Sequence, residues 1–192
     1  MITISAPEAP LEIVAARGAT EFAYADLARV ADSVAQEDMV PVSVETLHQS
    51  YACMGAYVMN GEDREMAAFA RQLKREVIEV DEEVVCAVEL GTLWVAPEHR
   101  GKGIGHELLT QSTDLMTIVG FLPVAVCNED SRKLFERVGY EPVASMWSRA
   151  GRHRIVEVYP DGPQTGSAIT SRHAAIARLN ELDRFRHMDL LT

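Results

Sequence analysis

The sequence lacks the features of a disulfide-rich, membrane-spanning or secreted protein. Its three cysteines in 192 residues, at positions 53, 86 and 127, form no C-x-x-C pair, which argues against a disulfide framework or a zinc site and fits reduced thiols in the cytoplasm. The densest apolar run, Val84 to Val88, is too short to cross a membrane. The first ten residues contain no basic residue and carry Glu8, so we expect no secretory signal.

The chain also has no excess of positive charge. Its formal net charge is −11, and residues 1–95 carry all of it, with 17 acidic and 6 basic side chains. Nucleic-acid binding normally needs a basic face, so we expect no nucleic-acid partner. Because no apolar run approaches the length of a membrane span, we expect no membrane partner either. The acidic first half either attracts a cationic substrate or serves only to keep the surface soluble.

The apolar fraction of 47% and the charged fraction of 24% are ordinary for one soluble domain of this length. Apolar spacing predicts three helices in the first half, beginning near Thr20, at Ser43 and before Met66. A hairpin of two Val-rich strands follows, at 76–80 and 84–95, with the turn at Asp81-Glu82-Glu83.

The second half alternates strand and helix. We predict a helix at 103–119, a strand at 122–127, a short helix at 131–138 and a strand pair at 141–149 and 154–159. Residues 1–160 would form the domain, and 161–192 a linker with a last helix at 168–187. The polar face of that helix is basic, and we expect it to pack on its own domain or on a twin subunit in a homodimer.

The segment LWVAPEHRGKGIGHELL, residues 93–109, has the pattern of an anion site. A strand runs into a loop with Gly101, Gly103 and Gly105, and a helix follows at once. Such glycines let backbone N–H groups approach a ligand, and the helix start adds unpaired donors and a positive dipole end. Arg100 and Lys102 add positive charge, so a phosphate or pyrophosphate is the expected anion.

Two other phosphate loops do not fit this segment. A P-loop would need Gly at 96 and Ser or Thr at 103, where the chain has Ala96 and Gly103. The dinucleotide pattern G-x-G-x-x-G would need Gly at 106, which is His106. The remaining alternative is a glycine-rich turn that only connects the strand to the helix.

At these residues the chain resembles the GNAT superfamily of acetyl-CoA-dependent N-acyltransferases. Their loop R/Q-x-x-G-x-G/A is matched by Arg100, Gly103 and Gly105. A second family stretch, N-x-x-A-x-x-L-Y-x-x-x-G-F, is approximated by NEDSRKLFERVGY from Asn128 to Tyr140. The resemblance implies an α/β fold in which a mixed, mostly antiparallel sheet is flanked by helices. It also implies acetyl-CoA as cosubstrate and a small-molecule or peptide amine as acceptor, with no metal.

The resemblance implies roles for individual residues. The strand before the loop would splay from its neighbour and pair with pantetheine, and one of its N–H groups would polarise the thioester carbonyl. The loop amides would hold the pyrophosphate, and Asn128 would bond the pantetheine arm. We count Phe135 among the coenzyme-binding residues as well. The full set of expected coenzyme-binding residues is Leu93, Trp94, Val95, Arg100, Gly101, Lys102, Gly103, Ile104, Gly105, His106, Asn128 and Phe135.

The catalytic groups are less well marked. The amine must lose a proton, and Glu89 is the candidate base because some family members carry a catalytic Glu on this strand; the alternative is a surface carboxylate. Phe135 stands where many members have a Tyr that protonates the leaving thiolate. Tyr140 could replace that acid, or could simply be part of the core. Cys127 has no recognisable His or Asp partner, which argues against a nucleophilic thiol.

We therefore expect an N-acetyltransferase that acts by direct attack of a primary amine in a ternary complex. The alternative is a CoA-binding sensor or structural module of the same fold with little or no turnover, which the loss of the Tyr at position 135 would favour. Acetylation of aminoacyl-tRNA would need a basic face that this composition does not supply.

Overall fold

One mixed sheet organises the chain. The structure, a computed structural model, describes residues 10–36, 42–80, 83–147, 153–159 and 188–190. Within these ranges the sheet has eight strands in the order β1-β2-β3-β4-β5-β7-β6-β8. The strands are β1 (Leu11–Ala16), β2 (Ala52–Asn60), β3 (Asp63–Val80), β4 (Glu83–Val95), β5 (Phe121–Cys127), β6 (Glu141–Trp147), β7 (His153–Val158) and β8 (Met188–Leu190). Only β4 and β5 pair in parallel among these strands.

Helices cover both faces of the sheet. They are α1 (Tyr24–Gln36), α2 (Val44–His48), α3 (Ile104–Ile118) and α4 (Glu129–Val138). Helix α1 packs on one face through Leu27, Val30 and Val34, together with Trp94 of β4. We call this the α1/α2 face. Helices α3 and α4 pack on the other, the α3/α4 face, through residues that include Leu109 and Phe135. The predicted α/β architecture is confirmed.

One of the predicted helices is wrong, and another is shorter than predicted. Ser43 does cap a helix, because its Oγ accepts from the Thr46 amide at 3.2 Å, but this helix ends at His48. The residues that follow form β2, and the pattern around Met66 lies on β3. Both strands are central and buried on both faces from 53 to 58 and from 66 to 70. A strand with two buried faces is continuously apolar, so it satisfies helical spacing by accident.

The other sequence-predicted elements are present where the structure describes them, and one bound differs by more than a few residues: the first hairpin strand, predicted at 76–80, begins at Asp63. The helix predicted from Thr20 is α1, the hairpin is β3–β4, and the strand and helix before residue 139 are β5 and α4. The two late strands pair as β6 and β7. The predicted linker at 161–167 and helix at 168–187 lie outside the described residues. In the described part of the chain, no helix is both long enough and apolar enough to cross a membrane.

Candidate functional site: a strand gap and a glycine loop

Strands β4 and β5 separate before β4 ends. Their parallel pairing runs from Cys86 with Phe121 to Leu90 with Ala125 and then stops. Residues 91–95 of β4 continue with β3 as their paired neighbour, and among the described residues β5 pairs with none of them. The two strands therefore open a gap whose β4 side is lined by backbone groups, as the family resemblance predicted.

The backbone groups of Leu93 and Val95 point into this gap. The amide of Ala96 donates to the Ala67 carbonyl of β3 at 2.9 Å, so its N–H faces β3. Backbone direction alternates along a strand, so Trp94 also faces β3, while Leu93 and Val95 face away from it. The Arg100 guanidinium fits this direction, since its Nε donates to the Val95 carbonyl at 3.0 Å.

A β-bulge precedes these residues. Thr92 has a φ of +35° and is the one non-glycine residue in the described ranges with a positive φ. The β3–β4 register slips at this point, between Phe69 and Arg71. Arg71 contacts the bulge directly, because its Nε donates to Thr92 Oγ1 at 2.9 Å. A bulge of this kind changes the direction in which the following residues present their groups.

The glycine loop joins the end of β4 to α3. Gly101 and Gly103 have φ of +75° and +82°, and an ideal Cβ built at either would meet nothing within 4 Å. These positions need glycine for their backbone conformation, and the space beside them is open. Gly105 is different, because a Cβ there would lie 2.9 Å from Val95 Cγ2. Close packing of the helix start on β4 requires that glycine.

The first turn of α3 presents unbonded donors at this open space. Gly103 is the N-cap and provides no side-chain cap, and the first intrahelical bond is from the Glu107 amide to the Gly103 carbonyl. The amides of Ile104, Gly105 and His106 precede that bond, so the helix itself gives them no acceptor. Lys102 and His106 are exposed beside them. Free N–H groups, a helix N-terminus and a nearby ammonium group suit a phosphate.

Asn128 is the N-cap of α4 and is partly buried. Its Oδ1 accepts from the Ser131 amide at 2.9 Å, and its backbone N–H donates to Ser131 Oγ at 3.2 Å; this reciprocal pair is a capping box. Ser131 Oγ also donates to the same Oδ1. The cap uses the amide oxygen, so Nδ2 is the group that the side chain can offer to a ligand. Leu134 brings α4 close to the loop, because its Cδ2 would lie 3.7 Å from a Cβ on Gly105. Phe135 is buried in the core of the α3/α4 face.

The two predicted catalytic residues differ in placement. Glu89 is half-buried on β4 beside Val124 of β5. Its neighbours Val88 and Leu90 pack on the α3/α4 face, so by alternation Glu89 points to the α1/α2 face. Tyr140 is only 2% exposed, and its hydroxyl pairs with Thr113 Oγ1 at 3.0 Å. Burial raises its pKa well above the usual range, which favours the core interpretation over the acid.

The buried cysteines have the properties of inert core thiols. Burial, and after it Glu157, raises the pKa of Cys127 to about 12. Burial likewise raises the pKa of Cys53 to about 11. A thiol of this kind is not a thiolate at neutral pH, so the structure supports the prediction that Cys127 is not a nucleophile.

Sequence reasoning missed a charged cluster beside the loop. Arg29 of α1 lies 3.0 Å from Glu65 and 3.6 Å from Glu98, and its guanidinium stacks 5.5 Å from the Trp94 ring centroid. His99 Nε2 is buried 3.8 Å from Glu65 Oε2. The two carboxylates and the imidazole could hold a cation, but Arg29 already supplies positive charge to both carboxylates. No local motif marks this cluster, because its members come from separate parts of the chain.

Comparisons with known proteins agree with this geometry. The family model described as "Acetyltransferase (GNAT) family" matches residues 29–140. No curated protein sequence matches the chain.

Solved structures with 14% to 19% sequence identity also match, and at such identities a match establishes a shared fold. Among solved structures, Arabidopsis thaliana NAA60 in complex with acetyl-CoA matches with a TM-score of 0.62 and 14% identity, covering 78% of this chain and 98% of that chain. The ribosomal-protein-S18-alanine N-acetyltransferase from Escherichia coli matches with a TM-score of 0.56 and 19% identity, over 78% and 92% of the two chains. Escherichia coli ElaA matches with a TM-score of 0.57 and 16% identity, over 78% and 99%.

The family match spans more than half of the sequence, and it includes the strand gap, the glycine loop and the start of α4. The resemblance found in the sequence is thereby confirmed: the chain belongs to the GNAT family of acetyltransferases.

Proposed function

We propose that this protein transfers the acetyl group of acetyl-CoA to a primary amine by direct attack in a ternary complex. The observation that carries the proposal is the continuity of two features. The gap that opens after Leu90 leads along β4 to the free amides at the start of α3. A ligand with a pyrophosphate at one end and a thioester at the other would span both features.

The loop residues would bind the pyrophosphate. The space beside Gly101 and Gly103 is open, and the amides from Gly101 to His106 would donate to a pyrophosphate there, with Lys102 adding a positive charge. The Arg100 guanidinium is bonded to the Val95 carbonyl, so we assign it to holding the loop against the strand end. Asn128 would use its Nδ2 to bond the pantetheine arm, since its Oδ1 caps α4.

The strand residues would bind and polarise the thioester. Of the three candidates on β4, Leu93 and Val95 direct their amides into the gap, and Trp94 directs its amide to β3. We assign the Leu93 N–H to the thioester carbonyl, because it lies nearest the point where the strands part. A donor held by a strand is aimed before the reaction begins, which is how such donors stabilise developing charge.

The chemistry then needs a proton acceptor for the amine. The amine nitrogen forms a bond to the acetyl carbon, the carbon–sulfur bond breaks, and the amine proton must leave. An alkylamine with a pKa near 10.4 is mostly protonated at neutral pH, so its activation costs roughly 4–5 kcal/mol. We propose that Glu89 accepts this proton, directly or through water, from an amine on the α1/α2 face. The nitrogen loses a second proton as the amide forms, and the departing thiolate, whose pKa is about 8.5, takes up that proton by way of solvent.

The acceptor class follows from charge and from the neighbours. The acidic first half favours a cationic acceptor, either a small-molecule amine or a peptide amine. Two of the structural neighbours support the peptide class. One is an N-acetyltransferase for an alanine of ribosomal protein S18, and another is the NatC complex bound to Gag peptide and CoA (TM-score 0.59, 17% identity).

The rival proposal is a CoA-binding module with little turnover. Phe135 in place of the family's Tyr, and the burial of Tyr140, favour it because they leave the described residues without an obvious acid. The test is to incubate the protein with acetyl-CoA and a library of peptide and small-molecule amines, and to follow free thiol. Amine-dependent thiol release supports the transferase. Tight coenzyme binding without thiol release from any amine supports the module.

A further inference from the structure

Thr92 is held in a conformation that its side chain disfavours. A β-branched residue with a φ of +35° is a genuine backbone outlier, and such residues persist only where their surroundings enforce them. Glycine would adopt this conformation without cost, as it does at Gly101 and Gly103. Some group near Thr92 must therefore compensate for the strain.

Arg71 is that group. It lies on β3 opposite the bulge, paired with Gly91, and its Nε donates to Thr92 Oγ1 at 2.9 Å. Its Nη1 reaches the Thr46 carbonyl of α2 at 3.4 Å, which anchors the guanidinium to a second element. The side chain is half-buried, and this burial lowers its pKa. A buried guanidinium is costly unless its hydrogen bonds are made, so its contact with Thr92 is strongly favoured.

The bulge stands directly before the residues that face the strand gap. From Leu93 to Val95 the side chains alternate regularly, with Leu93 and Val95 toward α3 and Trp94 toward α1. The backbone of Leu93 therefore takes its direction from the bulge at Thr92. If Thr92 relaxed to a negative φ, the bulge would unwind and the Leu93 amide would turn away from the gap.

We propose that Arg71 is a positioning residue of the transfer reaction: its hydrogen bond to the Thr92 hydroxyl locks the β4 bulge and thereby aims the Leu93 N–H at the thioester carbonyl. The inference rests on the proposed function for its kinetic consequences. Its structural part does not depend on that function: it is the hydrogen bond from Arg71 to Thr92 that fixes the bulge, which we call the lock. The role differs from catalysis, because Arg71 acts through Thr92 and Leu93.

The test removes the Arg71–Thr92 hydrogen bond by one substitution at each end. Arg71→Met keeps the aliphatic stem and removes the donor, and Thr92→Val keeps the shape and removes the acceptor. We expect either change to lower kcat by roughly 10- to 100-fold and to change the KM for acetyl-CoA less than about threefold. The reason is that the Leu93 amide stabilises the transition state more than it stabilises the bound substrate. Thr92→Ser keeps the hydroxyl and should stay near wild type.

Glycine at position 92 supplies the decisive rescue. Thr92→Gly adopts the positive φ unaided, so it should retain activity within about threefold of wild type. In that background, Arg71→Met should cost less than about twofold in kcat. If Arg71 served only the stability of the fold, Arg71→Met would lower kcat equally with threonine or glycine at position 92. That result would overturn the proposal. Such non-additivity is what a double-mutant cycle measures.

Arg64→Met is the matched control on the same strand. Arg64 is exposed, pairs with Glu12 at 3.2 Å and stacks 3.7 Å from the Tyr57 ring centroid, away from the bulge. Losing these contacts should lower stability somewhat and leave kcat unchanged. A fall in kcat equal to that of Arg71→Met would contradict the proposal, because it would trace both effects to the strand as a whole.

A second readout separates this inference from the proposed function. Should the wild-type protein release no thiol with any amine, the transferase would fail while the lock could still be tested by amide hydrogen exchange. The Trp94 amide follows the bulge and faces β3 opposite Phe69, so it reports whether the bulge holds its conformation. Arg71→Met should then speed exchange of the Trp94 amide at least tenfold, and Thr92→Gly should reverse this in the double variant. Unchanged exchange at Trp94 in Arg71→Met would overturn the lock itself.

Discussion

Leu90 and Ala125 form the last pair between β4 and β5, and β4 continues past them to Val95 with β3 alone. This relationship places unpaired backbone groups of β4 between the sheet and the loop at the start of α3. The line runs from extended backbone donors of β4 to the helix N-terminal donors of α3. The proposed coenzyme site is built from this line, and side chains contribute mainly by holding it in place.

The glycine loop can be tested with a matched pair of glycines. Gly103→Ala should weaken acetyl-CoA binding at least tenfold in calorimetry, because its Cβ enters the open space beside the amides. Gly61→Ala is the control, since Gly61 also has a positive φ, +69°, and open space around it, but lies at the β2–β3 turn. Both changes should cost about 1–2 kcal/mol of stability, the usual cost of a left-handed non-glycine residue. Equal affinity in the two variants would remove the loop from the site.

Glu89→Gln tests the proton acceptor. We expect kcat near pH 7 to fall by roughly 10²-fold, and the loss to shrink as the pH approaches the pKa of the amine, where the free base needs no acceptor. The measurement is the pH–rate profile from pH 6 to pH 10. Glu45→Gln makes the same chemical change on exposed α2 and should leave the profile unaltered. A Glu89→Gln profile that overlays that of the wild type would clear Glu89 of this role.

Tyr140→Phe distinguishes a core residue from an acid. The variant loses one buried hydrogen bond to Thr113, whose hydroxyl still donates to the Leu109 carbonyl at 2.8 Å. We therefore expect a loss of about 0.5–1.5 kcal/mol in the free energy of unfolding and an unchanged kcat. A fall in kcat of roughly 10²-fold or more would restore Tyr140 as the general acid. Denaturant titration and steady-state kinetics on the same sample give both values.

Glu157 makes the stability of the fold depend on pH. It is fully buried on β7, its oxygens make no hydrogen bond with described residues, and Arg132 Nε lies 3.8 Å from its Oε1. Burial, and after it Glu136, raises its pKa to about 7 from the usual 4.5. The native state therefore binds this proton more tightly than the unfolded state. The stability that the protonated Glu157 carboxyl contributes is complete below pH 4.5 and is lost as the pH rises through about 7.

Glu157→Gln should remove that dependence. At pH 8 the variant should be more stable than wild type by about 1–3 kcal/mol, and the difference should vanish toward pH 4. Urea unfolding at several pH values measures it. Glu107→Gln, an exposed change on α3, should leave the dependence in place. If the Glu157→Gln variant were less stable than wild type at pH 8, the ionised carboxylate would be stabilising in the native state, which contradicts this prediction.

The sequence predicted the parts of the molecule that local chemistry determines. The α1, α3 and α4 helices, the β4 and β5 strands and the loop between β4 and α3 carry their own spacing, glycines and capping residues. Strands β2 and β3 were misread because both of their faces are buried, which hides the alternation of a strand. Arg71 belongs to the segment after Met66 that was predicted as a helix, and a helix there would give its side chain no partner on a neighbouring strand.

The candidate site likewise has residues that local motifs predict and contacts that only the fold creates. The loop residues and Asn128 belong to short motifs, so sequence alone could predict them. The bulge at Thr92 is a shift in the pairing of two strands, and its contact with Arg71 joins residues 21 positions apart. The cluster of Arg29 with Glu65 and Glu98 also depends on the packing of α1 over the sheet. Such features arise only when the fold brings separate segments together.

The most direct test of the account is a crystal structure of the protein with acetyl-CoA bound. We predict that the pyrophosphate oxygens accept from the amides between Gly101 and His106, and that the thioester carbonyl lies within hydrogen-bond distance of the Leu93 amide, between β4 and β5. A coenzyme seated elsewhere, with the loop and the strand gap both empty, would contradict the account.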